Sequence, residues 1–590
     1  MTVPEKLITE HLGVWSNAIK PKAATGRGRG KGSNSKHELY GIKKLRTLIL
    51  ELAVRGLLVP QDPNDEPARE LLKKIAAEKA KLIKEKKIKK QKPLPPINDE
   101  EKPFELPQGW GVERFGNISL IERGGSPRPI KSFITDDPDG LNWIKIGDTD
   151  IGGKYISSTA EKIIKEGLTK TRMVYPGDFL LTNSMSFGRP YITKIEGCIH
   201  DGWLRISPAD ELDKDYLYWF LSSPYIVNAF RKSAAGAVVQ NLNSDKVREV
   251  VVLLPPLDEQ HRIVAKVDEL MALCDQLEQQ TETSLTAHQT LVETVLAALI
   301  NTSDDRDINA ETIFFQHFDT LFTTEQSIDQ LKQTILQLAI MGKLVPQNPN
   351  DEPASELLKK IAAEKEKLIK EKKIKKQKPL PPISDEEKPF ELPEGWVYTR
   401  LDELCGWITS GSTPPKSEFV ENGIPYLKVY NIREQSIDFE YKPQFIKTDC
   451  HDGKLKRSIL YPGDVVMNIV GPPLGKVAII PDTYPEWNCN QAIAFFRPIK
   501  KELSPYIYTY LTAGIYLRYI ELIGTAGQDN ISVTKSRTIV FPMPPIEEQP
   551  RIVAKVDELM ALCDQLKQGL SNAKTTQLHL ADTIVEQVIV

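Results

Sequence analysis

The sequence predicts an α+β protein: two mixed, strand-rich globular domains separated by two long repeated helices that form an antiparallel coiled coil, with a pseudo-twofold internal repeat. Three observations predict this fold. A 50-residue block at 61–110 returns at 347–396 with 45 identical positions and a constant offset of 286. A second block, PPLDEQHRIVAKVDELMALCDQL from Pro255, returns as PPIEEQPRIVAKVDELMALCDQL from Pro544. The stretches between these blocks have diverged almost completely, which indicates one architecture used twice to recognise two different things.

The repeat divides the chain into successive segments. They are an N-terminal helix with a flexible loop, the first helical frame, a first variable domain, a central helical spacer with the second frame, a second variable domain and a C-terminal helix. We place these segments at 1–38, 39–110, 111–254, 255–396, 397–543 and 544–590.

Length and composition limit the class of protein. A chain of 590 residues would hold about four domains. Net charge is −3 and the pI about 6.3, unlike a simple basic DNA-coating protein. No apolar run reaches the roughly 18 residues of a membrane helix, and the N-terminus lacks a signal-peptide core, so we expect a cytoplasmic protein. The cysteines have no CxxC spacing, so neither a disulfide framework nor a zinc site is expected.

Each frame begins with an amphipathic helix. In Leu39–Val59, apolar residues recur at helical spacing, and Gly56 and its counterpart Gly342 stand where a helix would end. A second helix is predicted from Ala68 or Ala354 to a cluster of lysines, followed by proline-rich connectors that cannot be helical.

The lysine clusters are strongly basic. Lys73 to Lys92 holds ten lysines and two glutamates, and Lys359 to Lys378 holds ten lysines and three glutamates. Three interpretations stay open: a solvated helix face, a contact with partner subunits, or non-specific contact with DNA phosphates. Because the lysines are the same in both copies, they cannot encode a difference between two targets.

The variable domains show strand patterns and shared turns. Strands are predicted at 142–146, 179–181 and 191–195. Tyr-Pro-Gly-Asp occurs at 175–178 and again at 461–464, with proline and glycine placed for a type II turn. The two inserts are therefore predicted to be versions of one fold that differ mostly in their loops.

After each variable domain the PP(L/I)(D/E)EQ sequence starts a long helix of about 35–40 residues, with apolar residues alternately four and three apart. The predicted coiled-coil seam comprises Ile263, Val267, Leu270, Leu277, Ile552, Val556, Leu559 and Leu566. Burial in a core is the alternative to a seam, and a partner-binding surface is disfavoured.

Motifs for catalysis are missing from the sequence. The Pro-Pro pairs after Leu254, Gly471 and Met543 lack the polar first residue and aromatic fourth residue of an adenine methyltransferase tetrapeptide. The spacing GxxxxGK[ST] is absent, so a phosphate loop is excluded. The histidines form no ligand spacing. We therefore predict no catalytic residues and no metal site.

The duplicated EQxRIVxKVDELMALCDQL segment, the two unlike domains and the helical spacers together resemble the specificity subunit of a type I restriction–modification enzyme, in its type IB group. The resemblance implies that each variable domain reads one half of a bipartite, asymmetric DNA target, while the helices fix the spacer. It implies double-stranded DNA, two modification (methyltransferase) subunits and two restriction subunits as partners. No cofactor is expected on this chain; S-adenosylmethionine, ATP and Mg are expected on the partners.

Exposed loops of the variable domains supply the predicted DNA contacts, since Arg, Lys, Asn and Gln read base edges and small polar groups contact phosphates. The GxTPxK loop of the family is matched at 411–416, and only a degenerate GGSPRP version occurs in the first domain. The predicted residues are Arg123, Ser126, Arg128, Lys131, Asn183, Ser186, Arg189, Gln240, Asn241, Ser412, Thr413, Lys416, Asn431, Arg433, Asn468, Lys476, Gln528 and Asn530. Two rival hypotheses are a coiled-coil scaffold that binds proteins and a stand-alone enzyme, which the absent motifs disfavour.

Overall fold

The computed structural model describes residue 6 and residues 9–22, 37–150, 152–183, 188–234, 242–301, 314–471, 473–525 and 528–589. The chain forms two units. Unit one comprises Met1–Leu285 with Asn572–Val590, and unit two comprises Thr286–Ser571.

The helices come in a repeated order along the chain. They are α1 Leu12–Asn17, α2 Tyr40–Val54, α3 Ala68–Lys84, α4 Phe115–Ile118, α5 Lys214–Ser222, α6 Pro224–Ala234, α7 Ser244–Glu249, α8 Leu257–Asn301, α9 Phe318–Leu321, α10 Glu325–Ile340, α11 Ala354–Lys370, α12 Leu401–Leu404, α13 Thr448–Asp452, α14 Ser504–Ala513, α15 Val533–Arg537 and α16 Glu548–Ile589.

The strands lie mainly in the variable domains. They are β1 Lys20–Pro21, β2 His37–Glu38, β3 Gly111–Arg114, β4 Ser119–Arg123, β5 Ile134–Thr135, β6 Leu141–Ile144, β7 Tyr155–Ile156, β8 Glu161–Ile163, β9 Arg172–Val174, β10 Phe179–Thr182, β11 Pro190–Thr193, β12 Gly197–Ile199, β13 Trp203–Pro208, β14 Val251–Leu254, β15 Val397–Arg400, β16 Cys405–Ser410, β17 Phe419–Val420, β18 Ile424–Leu427, β19 Ile432–Arg433, β20 Ser436–Ile437, β21 Phe445–Ile446, β22 Val465–Asn468, β23 Val477–Ile479, β24 Asn488–Cys489, β25 Ile493–Pro498, β26 Ile523–Thr525, β27 Gln528–Asn530 and β28 Val540–Met543.

Each variable domain is built on two sheets. In the first domain the strand orders are β4-β13-β10-β11-β7 and β5-β8-β6-β12-β9; in the second they are β16-β25-β22-β23 and β17-β21-β18-β24. The strand that opens each domain pairs antiparallel with the strand that closes it, β3 with β14 and β15 with β28. The predicted strands at 142–146, 179–181 and 191–195 are confirmed as β6, β10 and β11, and the predicted mixed fold is found in both domains.

The Tyr-Pro-Gly-Asp turns confirm the predicted type II geometry. Gly177 and Gly463 have φ of +93° and +96°, a region that L side chains disfavour. Asp178 N–H donates to Tyr175 O at 3.0 Å, and Asp464 N–H donates to Tyr461 O at 3.0 Å. The two domains therefore turn the chain identically at this point.

The second frame helix has the same bounds in both copies. Helix α3 spans Ala68–Lys84 and α11 spans Ala354–Lys370, which are the same positions at the offset of 286. The preceding helices end before Gly56 and Gly342, each at φ +70°, as the sequence predicts.

A buried glutamate in the PP(L/I)(D/E)EQ motif ties each long helix to its frame. Glu259 accepts a hydrogen bond from Trp110 Nε1 at 3.1 Å, and Glu548 accepts one from Trp396 Nε1 at 2.9 Å. Desolvation raises the pKa of both Glu259 and Glu548. The repeated sequence motif thus holds the junction between variable domain, frame and helix.

The long helices exceed the predicted length. Helix α8 has 45 residues and α16 has 42, because both continue well past the apolar stripe. Unit one contains the first part of α8 and the last part of α16, and unit two contains the last part of α8 and the first part of α16. In unit one, Val267 of α8 and Ile584 of α16 belong to the same hydrophobic core.

The predicted seam residues lie in two cores, with one exception. Ile263, Val267 and Leu270 are buried in the core of unit one, and Ile552 and Val556 are buried in that of unit two. Leu277 and Leu559 are half-buried against the same cores. Leu566 is 38% exposed, so the heptad spacing alone overstated its burial.

Salt bridges from the frame helices also hold the long helices. Arg46 of α2 lies 2.6 Å from Asp275 of α8. Lys332 of α10 pairs with Asp564 of α16. The pairs occupy matching positions in the two copies.

Of the helices that the structure describes, none is long and apolar enough to cross a membrane.

Candidate nucleic-acid interface

The loop that follows β4 in the first variable domain is fixed by its glycines. Gly124 N–H donates to Trp203 O at 2.9 Å, and Gly125 N–H donates to Ile199 O at 3.2 Å. A Cβ on Gly124 would lie 2.2 Å from His200 O, so no larger residue fits without moving the backbone. The loop is held by its backbone, which leaves the side chains after it free to differ.

The matching loop after β16 in the second domain has the same backbone pattern. Gly411 N–H donates to Ile493 O at 3.1 Å, and Ser412 N–H donates to Cys489 O at 3.1 Å. A Cβ on Gly411 would lie 2.0 Å from Cys489 O. Gly124 and Gly411 are therefore structurally equivalent, which establishes that GGSPRP is the counterpart of GSTPPK.

Asp201 is contacted by four residues of the first domain, and we call it the hub of the first loop. It was not among the residues predicted from the sequence. Ser126 Oγ donates to Asp201 Oδ1 at 2.7 Å, and Arg128 Nη2 lies 3.5 Å from Asp201 Oδ2. Arg123 Nε and Asn183 Nδ2 both donate to the Asp201 carbonyl, at 3.2 and 2.8 Å. The hydrogen bond from Ser126 is the main cause that lowers the pKa of Asp201. Four predicted contact residues thus converge on one carboxylate residue.

Gln491 occupies the position of Asp201 in the second domain. Thr413 Oγ1 donates to Gln491 Oε1, as Ser126 does to Asp201. The loop of the second domain has proline where that of the first has Arg128, and its arginine contact comes from a more distant part of the chain. There, Arg457 Nη2 donates to Ser412 Oγ at 2.8 Å. The second hub is therefore neutral where the first is anionic. Neither Gln491 nor Arg457 was predicted; a polar residue directly before the apolar strands β13 and β25 was the available signal.

A second loop joins β10 to β11, and its counterpart joins β22 to β23. Thr182 Oγ1 accepts from Arg189 N–H at 2.9 Å, and Asn468 Oδ1 accepts from Lys476 N–H at 2.7 Å. Asn468 Nδ2 also donates to Pro473 O at 2.8 Å. A different side chain thus fixes each loop, and each loop presents a basic residue at the same place.

The loop before α7 meets this second loop in both domains. Leu242 N–H donates to Asn183 O at 3.1 Å, and Ile531 N–H donates to Ile469 O at 2.9 Å. Asn530, on β27, precedes Ile531. The structure therefore places Asn183 beside the residue that precedes α7 by two positions, and it pairs Asn530 with Val470 of the second loop in the second domain.

Three predicted contact residues are buried. Asn183, Asn431 and Asn468 are 3%, 1% and 1% exposed. Asn431 accepts from Lys428 N–H at 3.0 Å and donates to Tyr441 O at 2.9 Å. Their amides are used within the protein, so these residues position loops.

The other predicted residues differ in exposure. Lys131, Arg189, Thr413 and Lys416 are exposed, and Lys476 is half-buried. Arg433 pairs with Asp438 at 3.2 Å and lies 4.4 Å above the Tyr441 ring. Gln528 lies on β27. Ser186, Gln240 and Asn241 lie outside the described residues.

An open cleft of about 960 Å³ adjoins the first loop. It is lined by Ser126, Arg128, Trp143, Lys145 and His200, among others. Burial lowers the pKa of His200, so the imidazole is neutral at pH 7. Cationic, aromatic and hydrogen-bonding groups therefore line one concave surface, a combination that suits a nucleic-acid base edge and its backbone.

Comparison with known proteins decides the family. Residues 107–287 and 393–574 match the family described as type I restriction modification DNA specificity domain. The chain is 41% identical over 600 residues to the EcoAI specificity subunit of Escherichia coli, covering 99% of both chains. It is also 41% identical over 608 residues to the EcoEI specificity subunit of the same organism, again covering 99% of both.

The chain belongs to the type I specificity-subunit family. The two family matches coincide with the two variable domains and the first parts of α8 and α16. A crystal structure of the HsdS subunit from Thermoanaerobacter tengcongensis is 19% identical, with a TM-score of 0.40, covering 83% of this chain and 98% of that one. Specificity subunits act in DNA recognition with other subunits of their complexes.

One cluster of potential metal ligands occurs among the described residues of this specificity subunit: His451, Asp452 and Glu486. His451 is buried, with Nε2 3.0 Å from Glu486 Oε2 and Nδ1 3.1 Å from Asn488 Nδ2. Both ring nitrogens already have partners within the protein. The cluster is therefore explained by its role in the core of the second variable domain.

Proposed function

We propose that each variable domain reads one half of a bipartite, asymmetric DNA target, and that the two long helices set the distance between the halves. The observation that carries this proposal is the pair of equivalent loops with unlike side chains. Ser126, Arg128 and Asp201 stand where the second domain has Thr413, Pro415 and Gln491. The same backbone scaffold with a different set of donors and acceptors would select different bases.

The duplicated frame supports two equivalent docking surfaces. A symmetric pair of sites on one chain suits two identical partners. We propose that these partners are two modification subunits, which methylate adenine N6 with S-adenosylmethionine, and that two restriction subunits join through them with ATP and Mg. This chain itself would supply recognition and no catalytic centre. Such a complex would act where the DNA is, in the cytoplasm.

Methylation mapping tests the proposal directly. The chain is co-expressed with its modification subunit, and N6-methyladenine is located by single-molecule sequencing. We expect one bipartite motif that disappears when this chain is omitted. A soluble, assembled complex that methylates no motif would contradict the proposal and favour a protein-binding scaffold instead.

Exchange of one domain tests the modular assignment. Residues 397–540 are replaced by the same segment of another specificity subunit. We expect one half of the motif to change, with the other half and the spacer retained. A change in both halves would contradict the assignment of one domain to one half-site.

A further inference from the structure

The lysine clusters of the frame have no role in the loops described above. In each copy, the lysines of the helical part are mostly paired: Lys73 lies 2.9 Å from Glu70, and Lys74 lies 2.7 Å from Glu66. The same pairs occur in the second copy, between Lys359 and Glu356 and between Lys360 and Glu352. These lysines are internally neutralised.

The lysines at and beyond the ends of helices α3 and α11 differ from those within the helices, because most of them form no ion pair in the described part of the chain. We call Lys84–Lys92 and Lys370–Lys378 the lysine tracts. Among the described residues, no carboxylate pairs with five lysines of each tract, and all of these are exposed: Lys84, Lys86, Lys89, Lys90 and Lys92, and Lys370, Lys372, Lys375, Lys376 and Lys378. The chain as a whole has a net charge of −3, so these ten unpaired lysines form two local excesses of positive charge.

The backbone of each tract keeps a lysine where a smaller residue would be less strained. Lys86 and Lys372 both have φ of +58°, the left-handed conformation in which a helix usually ends with glycine or asparagine. The lysine tracts therefore begin with the same left-handed turn in both copies.

Each tract is anchored to its variable domain. In unit one, Lys79 Nζ donates to Gly116 O at 2.6 Å, and Arg248 Nη2 donates to Lys92 O at 3.3 Å. In unit two, Ile374 lies 3.5 Å from where a Cβ on Gly406 would be. Asp402 there accepts from Lys365 and from Arg537, the latter at 2.7 Å.

This anchoring puts the tracts near the recognition loops. Arg248 is near the end of α7, a helix of six residues that begins just after Leu242, which contacts the second loop. Six helical residues span about 9 Å. In unit two, α15 likewise joins Ile531 to Arg537. In unit one, the tract therefore contacts the short helix that leads away from the second loop.

We propose that the two lysine tracts bind the phosphate backbone of the DNA that flanks each half-site, independently of its sequence. The proposal rests on the proposed function, because it takes DNA as the ligand of the variable domains. Identical tracts beside unlike domains fit a contact that supplies affinity and no sequence information. An acidic protein surface is the alternative ligand, and the test below separates the two.

The test compares two sets of eight substitutions in the complex assembled with modification subunits. The tract variant carries Lys→Gln at 86, 89, 90, 92, 372, 375, 376 and 378. The control carries Lys→Gln at ion-paired lysines outside the tracts, at 73, 74, 81, 102, 359, 360, 367 and 388. Both lose the same formal charge. Affinity for DNA with and without the methylated motif is measured across salt concentrations.

Each phosphate contact contributes about 0.9 to the slope of log K against log salt concentration. We expect the magnitude of this slope to fall by about 2 to 4 for both DNAs in the tract variant. In the control variant, the magnitude should fall by less than about 1. The methylated motif should stay the same. An unchanged slope with the motif retained would overturn the tract proposal alone. Impaired assembly with an unchanged slope would assign the tracts to a protein partner. Absence of any motif with the unaltered chain would instead overturn the proposed function.

Discussion

The two frame copies share their side-chain contacts, whereas the two variable domains share only the backbone hydrogen bonds of their loops. Where each frame meets its variable domain, identical side chains make identical contacts: Arg114 pairs with Glu101 as Arg400 pairs with Glu387. In the variable domains, the backbone hydrogen bonds of the loops are the same while the side chains are not, as Asp201 and Gln491 show. Backbone groups can hold a loop whatever its sequence. The chain can therefore vary recognition without altering the scaffold.

The largest expected effect concerns the contact between each frame and its variable domain. Arg114 and Arg400 are buried, and each bonds a glutamate and three carbonyls, which include those of Pro95 and Pro381. Replacement by leucine leaves these acceptors unpaired. We expect Arg114→Leu and Arg400→Leu each to lower the free energy of unfolding by about 3–4 kcal/mol, because three backbone carbonyls lose a donor at about 1 kcal/mol each.

Urea denaturation of the full chain measures this loss, with Lys102→Gln at an exposed pair as the control. The arginine is also the main cause that lowers the pKa of Glu101 and of Glu387. The stabilisation is therefore present above the usual pKa of glutamate and is lost as pH falls below it. Unequal losses in the two copies would contradict the equivalence of the frames.

The next largest expected effect is a loss of selectivity that should differ between the two variable domains. Asp201→Ala releases Ser126 and Arg128, so we expect methylation to lose selectivity about tenfold to a hundredfold in one half-site only. Gln491→Ala should do the same in the other half-site. Mapping of methylated motifs measures both, and Asp139→Ala, at an exposed turn, is the control. If either variant altered both half-sites, the assignment of one hub to one domain would be wrong.

A smaller effect tests the second loop. Thr182→Val removes the acceptor for Arg189 N–H, and we expect it to cost about 1 kcal/mol. Asn468→Leu removes the acceptor for Lys476 N–H and the donor to Pro473, and it should cost about 2–3 kcal/mol. Hydrogen exchange of the two amides measures the local loss. Equal losses would show that the two loops are held more alike than their side chains indicate.

The smallest effect concerns the buried glutamates of the PP(L/I)(D/E)EQ motif. Glu259→Gln and Glu548→Gln keep an acceptor for the tryptophan, so stability at pH 7 should change by less than about 1 kcal/mol. Burial raises the pKa of these glutamates, so the unaltered chain gains stability from them as pH falls through that raised value. The difference in Tm between variant and unaltered chain should therefore shift in favour of the unaltered chain from pH 8 to pH 5. A constant difference would contradict the raised pKa.

Much of the fold follows from local sequence. The turns at Gly177 and Gly463 and the helix ends at Gly56 and Gly342 were predicted because only glycine adopts those backbone angles easily. The lengths of α8 and α16 were underestimated, since polar turns in the middle of each helix interrupt the apolar stripe before it resumes near the end. The exposed Leu566 fits the same heptad as buried Val556, so spacing did not separate them.

The sequence by itself determined the duplicated architecture and the family, because repeats and turn residues are local patterns. Only the tertiary structure decided which polar residues meet. Asp201 is far in the chain from Ser126, and the antiparallel pairing of β13 with β4 and β10 brings it beside that loop. The same packing buried Asn183 and Asn468, which composition alone placed on the surface. Strand pairing over long chain separations is a property of the whole fold, and no local spacing encodes it.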